Sequence, residues 1–325
     1  MENEKSVAII IVNWNQKDRL AACLTSLYDK TAYTNYRAIV IDNGSADGSV
    51  QLIKEMFPWV DLIALNENTG FSVANNKGIN YALIKFTPEY VLLLNNDTEI
   101  VQADWLGKMV TSAESQSDVG IVGCKLVYPD GKTQYIGTKA SFKGLSWINP
   151  QSEHNLPETF DVDSVLGACF LIKREVIDKI GLLDVGFSPF VHEETDYCFR
   201  ARKASYKSQM LLTVRVVHYF RVSVEKIGSV YAEFVVRRNF VRFMLLNFPI
   251  KWLIKRKAIE VRILVGCFVA RNKWGLLPFE LRTDEDLLVH LKIYIFSWFY
   301  NIERLREIIQ KRQNREKRLP FRAIK

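Results

Sequence analysis

Residues 90–98 read YVLLLNNDT, a short apolar run that ends abruptly at two amides and a carboxylate. An apolar run of this length is typical of a strand buried on both faces of a parallel sheet. Ligands of parallel sheets bind just beyond the carboxyl ends of such strands, so Asp97 is predicted to lie where a metal or a phosphate would be held. The alternative is that Asn95, Asn96 and Asp97 only form a turn, because Asn and Asp favour turns through their backbone hydrogen bonds.

The same pattern recurs along the N-terminal half of the chain. Strands are predicted at 7–12, 38–41, 61–65 and 90–94, and each is followed by Asn- and Asp-rich residues and then by a helical stretch. This alternation predicts right-handed crossovers and a mainly parallel central sheet in an α/β fold. The polar residues are then expected together on one rim, which suits a sugar, a ribose, a base edge and a metal-bound diphosphate.

The pattern loosens beyond residue 119. Strands are predicted at 119–127 and 162–172, joined by a long surface excursion over 129–157, and a helix is predicted at 195–205. A further strand is predicted at 210–217, and everything from residue 229 onward reads as helix. We therefore predict an α/β domain over residues 1–250 and a basic, aromatic-rich helical region over 251–325.

The composition is that of a globular protein, with 48% hydrophobic and 25% charged residues in a chain of 325. The N-terminal MENEKS is polar and acidic, so we expect no export signal. No apolar stretch approaches the roughly 18 to 20 residues that a membrane span requires. The five cysteines lack CxxC spacing, which predicts buried thiols in a reducing compartment.

The net charge of +8 is concentrated at the C-terminal end. Residues 251–325 hold 18 Lys and Arg against 8 Asp and Glu, interleaved with Trp252, Trp274, Phe279, Trp298, Phe299 and Tyr300. Apolar faces beside basic ones are typical of helices that lie on an anionic leaflet, so we predict a cytoplasmic protein bound peripherally to the inner face of the cell membrane. The alternative is a helical subdomain whose aromatic stripe forms a core or a homo-oligomer interface. Nucleic acid is not an expected partner, because the rim is acidic and rich in amides.

Two common nucleotide sites are excluded by the residues present. The segment after the first strand, NWNQK at 13–17, has no glycine and so lacks the backbone approach that a dinucleotide pyrophosphate needs. No GxxxxGK[ST] motif occurs in the chain. Neither a Rossmann dehydrogenase nor a P-loop enzyme is therefore expected.

Several motifs together resemble the family 2 glycosyltransferases of GT-A fold, nearest to a rhamnosyltransferase-like branch. They are IVNWNQ, VIDNGSADGS, NENTGFSVANNKGINYAL, LLLNNDTEI, VLGACFLIKREV, HEETDYCFRAR and RNFVRFMLLNFP, in this order within residues 7–250. The resemblance implies an inverting transfer from a nucleoside diphosphate sugar, with Mg²⁺ or Mn²⁺ as cofactor. It also implies a saccharide or polyprenyl-linked saccharide acceptor in cell-envelope polysaccharide synthesis, and the branch suggests dTDP-rhamnose as the donor.

The resemblance places the metal at Asp97 and His218. Asp97 matches the last carboxylate of the family's DXD motif, whose first acid is here Asn95. His218 falls where some relatives supply a second metal ligand within HxxGxS, although Arg221 replaces the glycine of that motif. The alternative for His218 is a histidine without a ligand role. A cation is expected in such a site because the leaving diphosphate gains negative charge.

The resemblance also assigns the donor site. Asp42 matches the residue that reads the nucleobase in the family, and Gly70 belongs to the segment that flanks the nucleotide and the donor sugar. The remaining predicted donor-binding residues are Asn13, Asn15, Asn43, Ser45, Asn68, Asn75, Asn76 and Asn96. The alternative for most of them is capping and turn formation.

Glu194 is the predicted general base, because it matches the second acid of the relatives' Glu-Asp-x-Asp motif. Inversion needs a base within hydrogen-bond reach of the acceptor hydroxyl. Glu193 and Asp196 are predicted to orient the loop, the acceptor or the following helix. The alternative is an acidic first helical turn that stabilises the positive end of the helix dipole. A rival to the enzyme is a catalytically silent module that binds a nucleotide sugar as a sensor or assembly partner, and it would need neither Glu194 nor His218.

Overall fold

The sheet at the centre of the fold is built outward from β1 (Val7–Asn13), whose apolar side chains are almost entirely buried. A computed structural model describes residues 4–219, 229–258 and 287–318. The first half contains α1 (Lys17–Lys30), β2 (Tyr36–Asp42), α2 (Ser49–Met56), β3 (Asp61–Ala64), α3 (Phe71–Lys85) and β4 (Tyr90–Leu94). All four predicted strands are present, and each is followed by a polar loop.

The first four strands are mutually parallel and lie in the order β3, β2, β1, β4. The chain therefore moves from β1 toward one edge of the sheet and then returns to place β4 on the other side of β1. Open parallel sheets bind ligands at such a reversal, beyond the carboxyl ends of the strands. In this chain those ends are Asn13 and the Asn95–Asp97 turn.

The second half extends the sheet beyond β4. It contains β5 (Thr98–Ile100), α4 (Trp105–Glu114), β6 (Val119–Val127), β7 (Thr133–Tyr135), β8 (Thr138–Ser141), β9 (Gly144–Trp147), β10 (Thr159–Val162), β11 (Cys169–Lys173), α5 (Arg174–Ile180), α6 (Glu193–Lys203) and β12 (Lys207–His218). Antiparallel β11 lies between β4 and β6, and β12 runs parallel to β6. The sheet is thus parallel over β1 to β4 and mixed beyond β4.

The single strand predicted at 162–172 is wrong. The stretch takes in the last residue of β10 and most of β11, which lie at different places in the sheet, since β10 pairs with β12 whereas β11 pairs with β4 and β6. Between them the chain leaves the main ladder, and Ser164 forms an isolated bridge with Thr138. The predicted excursion over 129–157 holds β7, the β8–β9 hairpin and a short 3₁₀ helix at Pro150–Asn155.

The described residues divide into two compact units. One comprises 4–139 and 146–219, and the other comprises 140–145, 229–258 and 287–318. The second unit contains α7 (Ser229–Asn247), a helical segment at 250–258, α8 (Leu287–Glu303) and α9 (Leu305–Arg318). The predicted domain boundary at residue 250 therefore falls inside the helical unit, and α7 belongs with the C-terminal helices.

The aromatic residues predicted to face a membrane differ in their surroundings. Trp252 packs edge-on against Phe248, with ring centroids 5.2 Å apart, and Tyr300 lies between the guanidinium groups of Arg238 and Arg304. Trp298 is half-buried beneath Lys257, whereas Phe299 is exposed. The predictions for Trp274, Phe279 and Cys267 lie outside the described residues; the other four cysteines are free and buried. Among the described helices, none combines the length and apolar character needed to cross a bilayer.

We predict that Gly44→Ala destabilises the protein by about 3 kcal/mol, measured as the free energy of urea unfolding. Gly44 has a φ of +79°, and an added methyl group would lie 2.6 Å from the Glu67 carbonyl carbon. Gly131→Ala is the matched control, because Gly131 has a φ of +84° with nothing within 4 Å of the added carbon. The control should lose only about 1 kcal/mol, for the backbone conformation alone. Equal losses in the two variants would contradict the close approach at Gly44.

Candidate functional site

A hydrogen-bonded network joins the ends of β1, β2 and β4 at the point where the strand order reverses. The buried Asn13 amide donates from Nδ2 to Asp42 Oδ2 at 3.0 Å and to Ser45 Oγ at 3.2 Å. Asn96 Nδ2 in turn donates to Asn13 Oδ1 at 2.7 Å. The structure thus brings Asn13, Asp42, Ser45 and Asn96 together on one rim, where the sequence places them.

A second set of contacts shapes the loops beside this network. Asn43 Nδ2 donates to Asn68 Oδ1 at 3.0 Å, while Asn43 Oδ1 accepts a hydrogen bond from the Thr69 backbone N–H at 2.9 Å. Asn15 Oδ1 accepts from the Ala46 N–H at 2.8 Å. These amides tie the loop after β2 to its neighbours on both sides, so they hold the walls of the rim at fixed positions.

The two asparagines of α3 contact protein backbone. Asn75 Nδ2 donates to the Phe71 carbonyl one turn earlier. Asn76 exchanges two hydrogen bonds with Leu183, donating to its carbonyl at 2.9 Å and accepting from its N–H at 3.0 Å. Both side chains therefore hold the helix and the segment packed on it in this structure. Gly70, with a φ of +82°, lies against Pro189, where an added carbon would come within 3.0 Å of the proline backbone.

Asp97 and His218 face each other because β5 and β12 pair in antiparallel register. Thr98 lies opposite His218 in this ladder, and the Tyr219 N–H donates to the Asp97 carbonyl at 3.0 Å. The Asp97 carboxylate Oδ1 then lies 3.4 Å from His218 Nε2, and both side chains are nearly buried. The structure therefore brings the two predicted metal ligands into contact.

Gln134 fixes the orientation of the His218 ring. Its Nε2 donates to the His218 carbonyl at 3.0 Å, which turns its Oε1 toward His218 Nδ1 at 2.7 Å. In the neutral imidazole, Nδ1 then carries the proton, and the lone pair of Nε2 is directed toward Asp97. Ligating histidines commonly donate their second N–H to such a carbonyl oxygen.

The spacing of this pair fits a divalent cation. Two ligands that each lie about 2.1 Å from one ion are about 3.0 to 3.4 Å apart, and the two acceptor atoms here are separated by 3.4 Å. Among the residues that the structure describes, no cluster of three or more His, Cys, Asp or Glu side chains could hold a metal. An ion at Asp97 and His218 would therefore complete its coordination with phosphate oxygens and water, as Mg²⁺ commonly does.

Glu194 lies in the first turn of α6, buried beside Glu193. The two residues before the helix, Val191 and His192, both have a φ of +75°, a strained conformation for non-glycine residues that is common at functional sites. Burial raises the pKa of Glu194 to about 7. Burial, followed by the charge of Glu194, raises the pKa of Glu193 well above its usual range.

Glu194 and the Asn95–Asp97 turn both lie close to the Gly167–Ala168 segment. The Asn95 N–H at the start of the turn donates to the Ala168 carbonyl at 3.0 Å. A carbon added to the adjacent Gly167 would lie 3.8 Å from Glu194 Cβ and 3.5 Å from the ring of Phe71. The segment before β11 therefore has the turn that carries Asp97 and the predicted base among its neighbours.

Asp196 is fully buried and paired with Arg200, whose Nε lies 2.9 Å from Asp196 Oδ2. The same guanidinium donates to the carbonyls of Ile180 and Leu182 at 2.9 and 2.8 Å. Asp196 thus anchors α6 to the preceding segment, and we give it a positioning role.

Sequence reasoning missed Gln134, because it lies in the irregular excursion and reaches His218 only through the pairing of β6 with β7 and β12.

The chain is similar to known glycosyltransferases. Residues 8–181 match the family model described as glycosyl transferase family 2. The O-antigen biosynthesis protein RfbC of Myxococcus xanthus is 31% identical over 193 residues, which cover 56% of this chain and 15% of RfbC. The low-salt glycan biosynthesis hexosyltransferase Agl10 of Haloferax volcanii is 28% identical over 251 residues, covering 74% of this chain and 75% of Agl10.

A solved structure supports the fold. GalNAc-T7, determined with UDP, GalNAc and Mn²⁺, superposes with a TM-score of 0.59 at 18% identity, covering 76% of this chain and 48% of that chain. The predicted GT-A fold is therefore confirmed. The chain spans only a small part of RfbC and about half of GalNAc-T7.

We predict that Arg200→Met lowers the free energy of unfolding by about 3 to 5 kcal/mol, because the fully buried Asp196 carboxylate loses the guanidinium that balances its charge. Arg174→Met is the matched control, since Arg174 Nε pairs with Asp178 at 2.8 Å with the same four-residue spacing, but the two side chains are 34% and 56% exposed. It should cost less than about 1 kcal/mol. The double variant Arg200→Met/Asp196→Asn should recover part of the loss in urea denaturation. Equal costs for the two arginine variants would contradict the positioning role of the Asp196–Arg200 pair.

Proposed function

The chain belongs to glycosyl transferase family 2, and from this premise we propose that it is an inverting enzyme that transfers a sugar from a nucleoside diphosphate sugar to a hydroxyl of a saccharide or lipid-linked saccharide acceptor. The observation that carries the proposal is the buried Glu194 carboxylate beside the rim that holds Asp97 and His218. The likeness to Agl10 and RfbC, whose names refer to glycan and O-antigen synthesis, supports an envelope saccharide as acceptor.

Glu194 is the proposed base. Its carboxylate would take the proton of the acceptor hydroxyl while that oxygen bonds to the anomeric carbon of the donor sugar. The bond between the anomeric carbon and the diphosphate breaks in the same displacement, and the nucleoside diphosphate leaves with the bonding electron pair. A base acts best when its pKa lies near the working pH, and burial raises the pKa of Glu194 to about 7.

Glu193 supports this assignment. The charge of Glu194 raises the pKa of Glu193 further above the range that burial alone would give, so Glu193 holds a proton when its neighbour is ionised. Its Oε2 atom is buried and finds no hydrogen-bond partner among the described residues. We propose that Glu193 stays protonated, which leaves Glu194 as the carboxyl group that ionises near neutral pH.

The donor nucleotide is proposed to lie along the Asn13–Asp42–Asn96 network. Asp42 is held rigidly, since its Oδ1 accepts from the Ser45 N–H at 2.9 Å and its Oδ2 accepts from Asn13. A carboxylate fixed in this way presents its remaining lone pairs to the N–H donors of a nucleobase. The Asn43 and Asn68 loops would then flank the ribose and the sugar.

Asp97 and His218 are proposed to hold Mg²⁺ or Mn²⁺. When bound there, the cation neutralises the negative charge that develops on the departing diphosphate. Gln134 keeps the histidine ring in the orientation that this role requires. The presence of Mn²⁺ with UDP in the GalNAc-T7 structure supports a divalent metal in this fold.

We predict that Glu194→Gln lowers kcat by about 10² to 10⁴-fold, because the amide cannot accept the acceptor proton. In the wild type, kcat should rise with pH and level off above about 7, since the ionised carboxylate is the active form and burial sets its pKa near that value. The measurement is release of nucleoside diphosphate from UDP-, dTDP- and GDP-sugars with Mn²⁺ across this pH range.

Glu175→Gln is the matched control, because Glu175 is an exposed glutamate in the first turn of α5 in the same unit, and its kcat should equal that of the wild type. Donor binding by Glu194→Gln, followed by thermal stabilisation, should also be retained. Unchanged turnover in Glu194→Gln would contradict the base assignment. Donor binding without turnover in the wild type would favour the catalytically silent module.

A further inference from the structure

Helix α8 has two uncharged polar side chains on its buried face. Ser297 and Asn301, spaced one turn apart, are both 0% exposed. Ser297 Oγ donates to the Ile293 carbonyl at 2.7 Å, and Asn301 Nδ2 donates to the Arg238 carbonyl on α7 at 2.9 Å. The donor groups of both side chains therefore bond to backbone carbonyls in the protein interior, whereas Asn301 Oδ1 is buried with no hydrogen-bond partner among the described residues.

The opposite face of α8 is apolar and exposed to solvent. Phe296 and Phe299 are 59% and 57% exposed. The exposed residues Leu291, Ile295, Phe296, Phe299 and Ile302 form one side of the helix, and we refer to them as the outer face of α8. Their spacing of three and four residues places them side by side along the axis. Leu305 and Ile309 continue the exposed apolar surface into α9.

Helix α7 also buries polar side chains, among buried apolar ones. Asn239 and Arg242 are almost fully buried, and Arg242 pairs with Glu307 of α9 at 2.8 Å, whereas Val230 and Tyr231 are exposed. A helix at the surface of a water-soluble domain normally has the reverse arrangement, with apolar residues inward and polar residues outward. A continuous exposed apolar surface marks an interaction site.

Exposed basic residues lie on the elements that carry this apolar surface, alongside one exposed acid of α8, Glu303. Lys292 is exposed on α8 itself, and Arg306 and Lys317 are exposed on α9. The helical segment at 250–258 presents Lys251 and Lys255 beside the exposed Ile250 and Ile254. Basic residues beside an apolar face attract anionic lipid, whose headgroups lie close to an apolar layer.

A shallow apolar groove lies between the 250–258 segment and α8. Its volume is about 310 Å³, and it is lined by Leu253 and Ile254 of the 250–258 segment, by Met244 and Leu245 of α7 and by Trp298 of α8, with Arg256 and Lys257. The Lys257 ammonium lies 3.4 Å from the centre of the Trp298 ring. The apolar surface is therefore continuous between the lysine-bearing segment and α8.

We propose that the outer face of α8 docks on an anionic lipid bilayer, with the helix lying in the plane of the headgroups. The apolar side chains enter the boundary of the acyl chains, and the surrounding Lys and Arg residues contact lipid phosphates. A second copy of the chain is a poorer occupant, because a symmetric interface through this face would bring the same cations together. The proposal does not depend on the activity proposed above.

The test compares full-length variants in sedimentation with vesicles of phosphatidylcholine alone or mixed with phosphatidylglycerol. The wild type should bind the mixed vesicles, and this binding should weaken strongly as the salt concentration rises. It should bind the neutral vesicles only weakly. Phe296→Ser/Phe299→Ser should bind the mixed vesicles about tenfold more weakly or worse, because two large side chains no longer enter the apolar layer. Both residues are exposed, so the fold should remain intact, which circular dichroism would check.

Met56→Ser/Ile84→Ser is the matched control, since these two apolar side chains are 65% and 84% exposed on α2 and α3. Its vesicle binding should equal that of the wild type. Equal binding by the two double variants would overturn the proposal, as would equal binding of the wild type to neutral and anionic vesicles. A wild-type dimer that binds no vesicles and becomes monomeric in Phe296→Ser/Phe299→Ser would show instead that a second copy covers this face.

Discussion

The return of the chain across β1 is the constraint on which the site depends. Because β2 and β4 lie on opposite sides of β1, their carboxyl ends flank Asn13. The single side-chain amide of Asn13 must therefore form hydrogen bonds with both neighbours. Asn13 does so by donating to Asp42 and accepting from Asn96. A buried amide whose N–H and carbonyl oxygen are both hydrogen-bonded lowers the stability of the fold little, whereas a buried group without a hydrogen bond would lower it by about 1 to 3 kcal/mol. The network therefore fixes the Asp42 loop relative to the Asn95–Asp97 turn.

The rest of the site extends from that turn. On one side, the pairing of β5 with β12 brings His218 to Asp97, and Gln134 sets the tautomer of the ring. On the other side, the Asn95 N–H donates to the Ala168 carbonyl, and the neighbouring Gly167 lies close to Glu194. The structure consequently holds Asp97 in contact with His218 on the turn after β4 and buries the Glu194 carboxyl group, with a raised pKa, near the segment that the turn contacts. The function proposed above assigns the first pair to a cation and Glu194 to the acceptor proton.

The sequence was sufficient for the features that depend on local patterns. Four apolar runs ending in Asn and Asp predicted the parallel half of the sheet and the rim, and the order of the motifs predicted the family. Features set by tertiary pairing could not be predicted in this way. Nothing in the apolar run at 162–172 indicates that it forms two strands with different partners, or that Gln134 contacts His218. Likewise, the sequence of α8 contains both apolar and polar residues, but only the packing of α8 against α7 shows that the Ser297 and Asn301 side chains are buried.

The most direct test of the account is the position of a bound cation. Crystals grown with Mn²⁺ and a nucleoside diphosphate would be measured on both sides of the manganese absorption edge, so that anomalous difference density locates the ion. The account predicts a peak in contact with Asp97 Oδ1 and His218 Nε2 and with the phosphate oxygens. A manganese ion bound to the diphosphate but away from both side chains would contradict it.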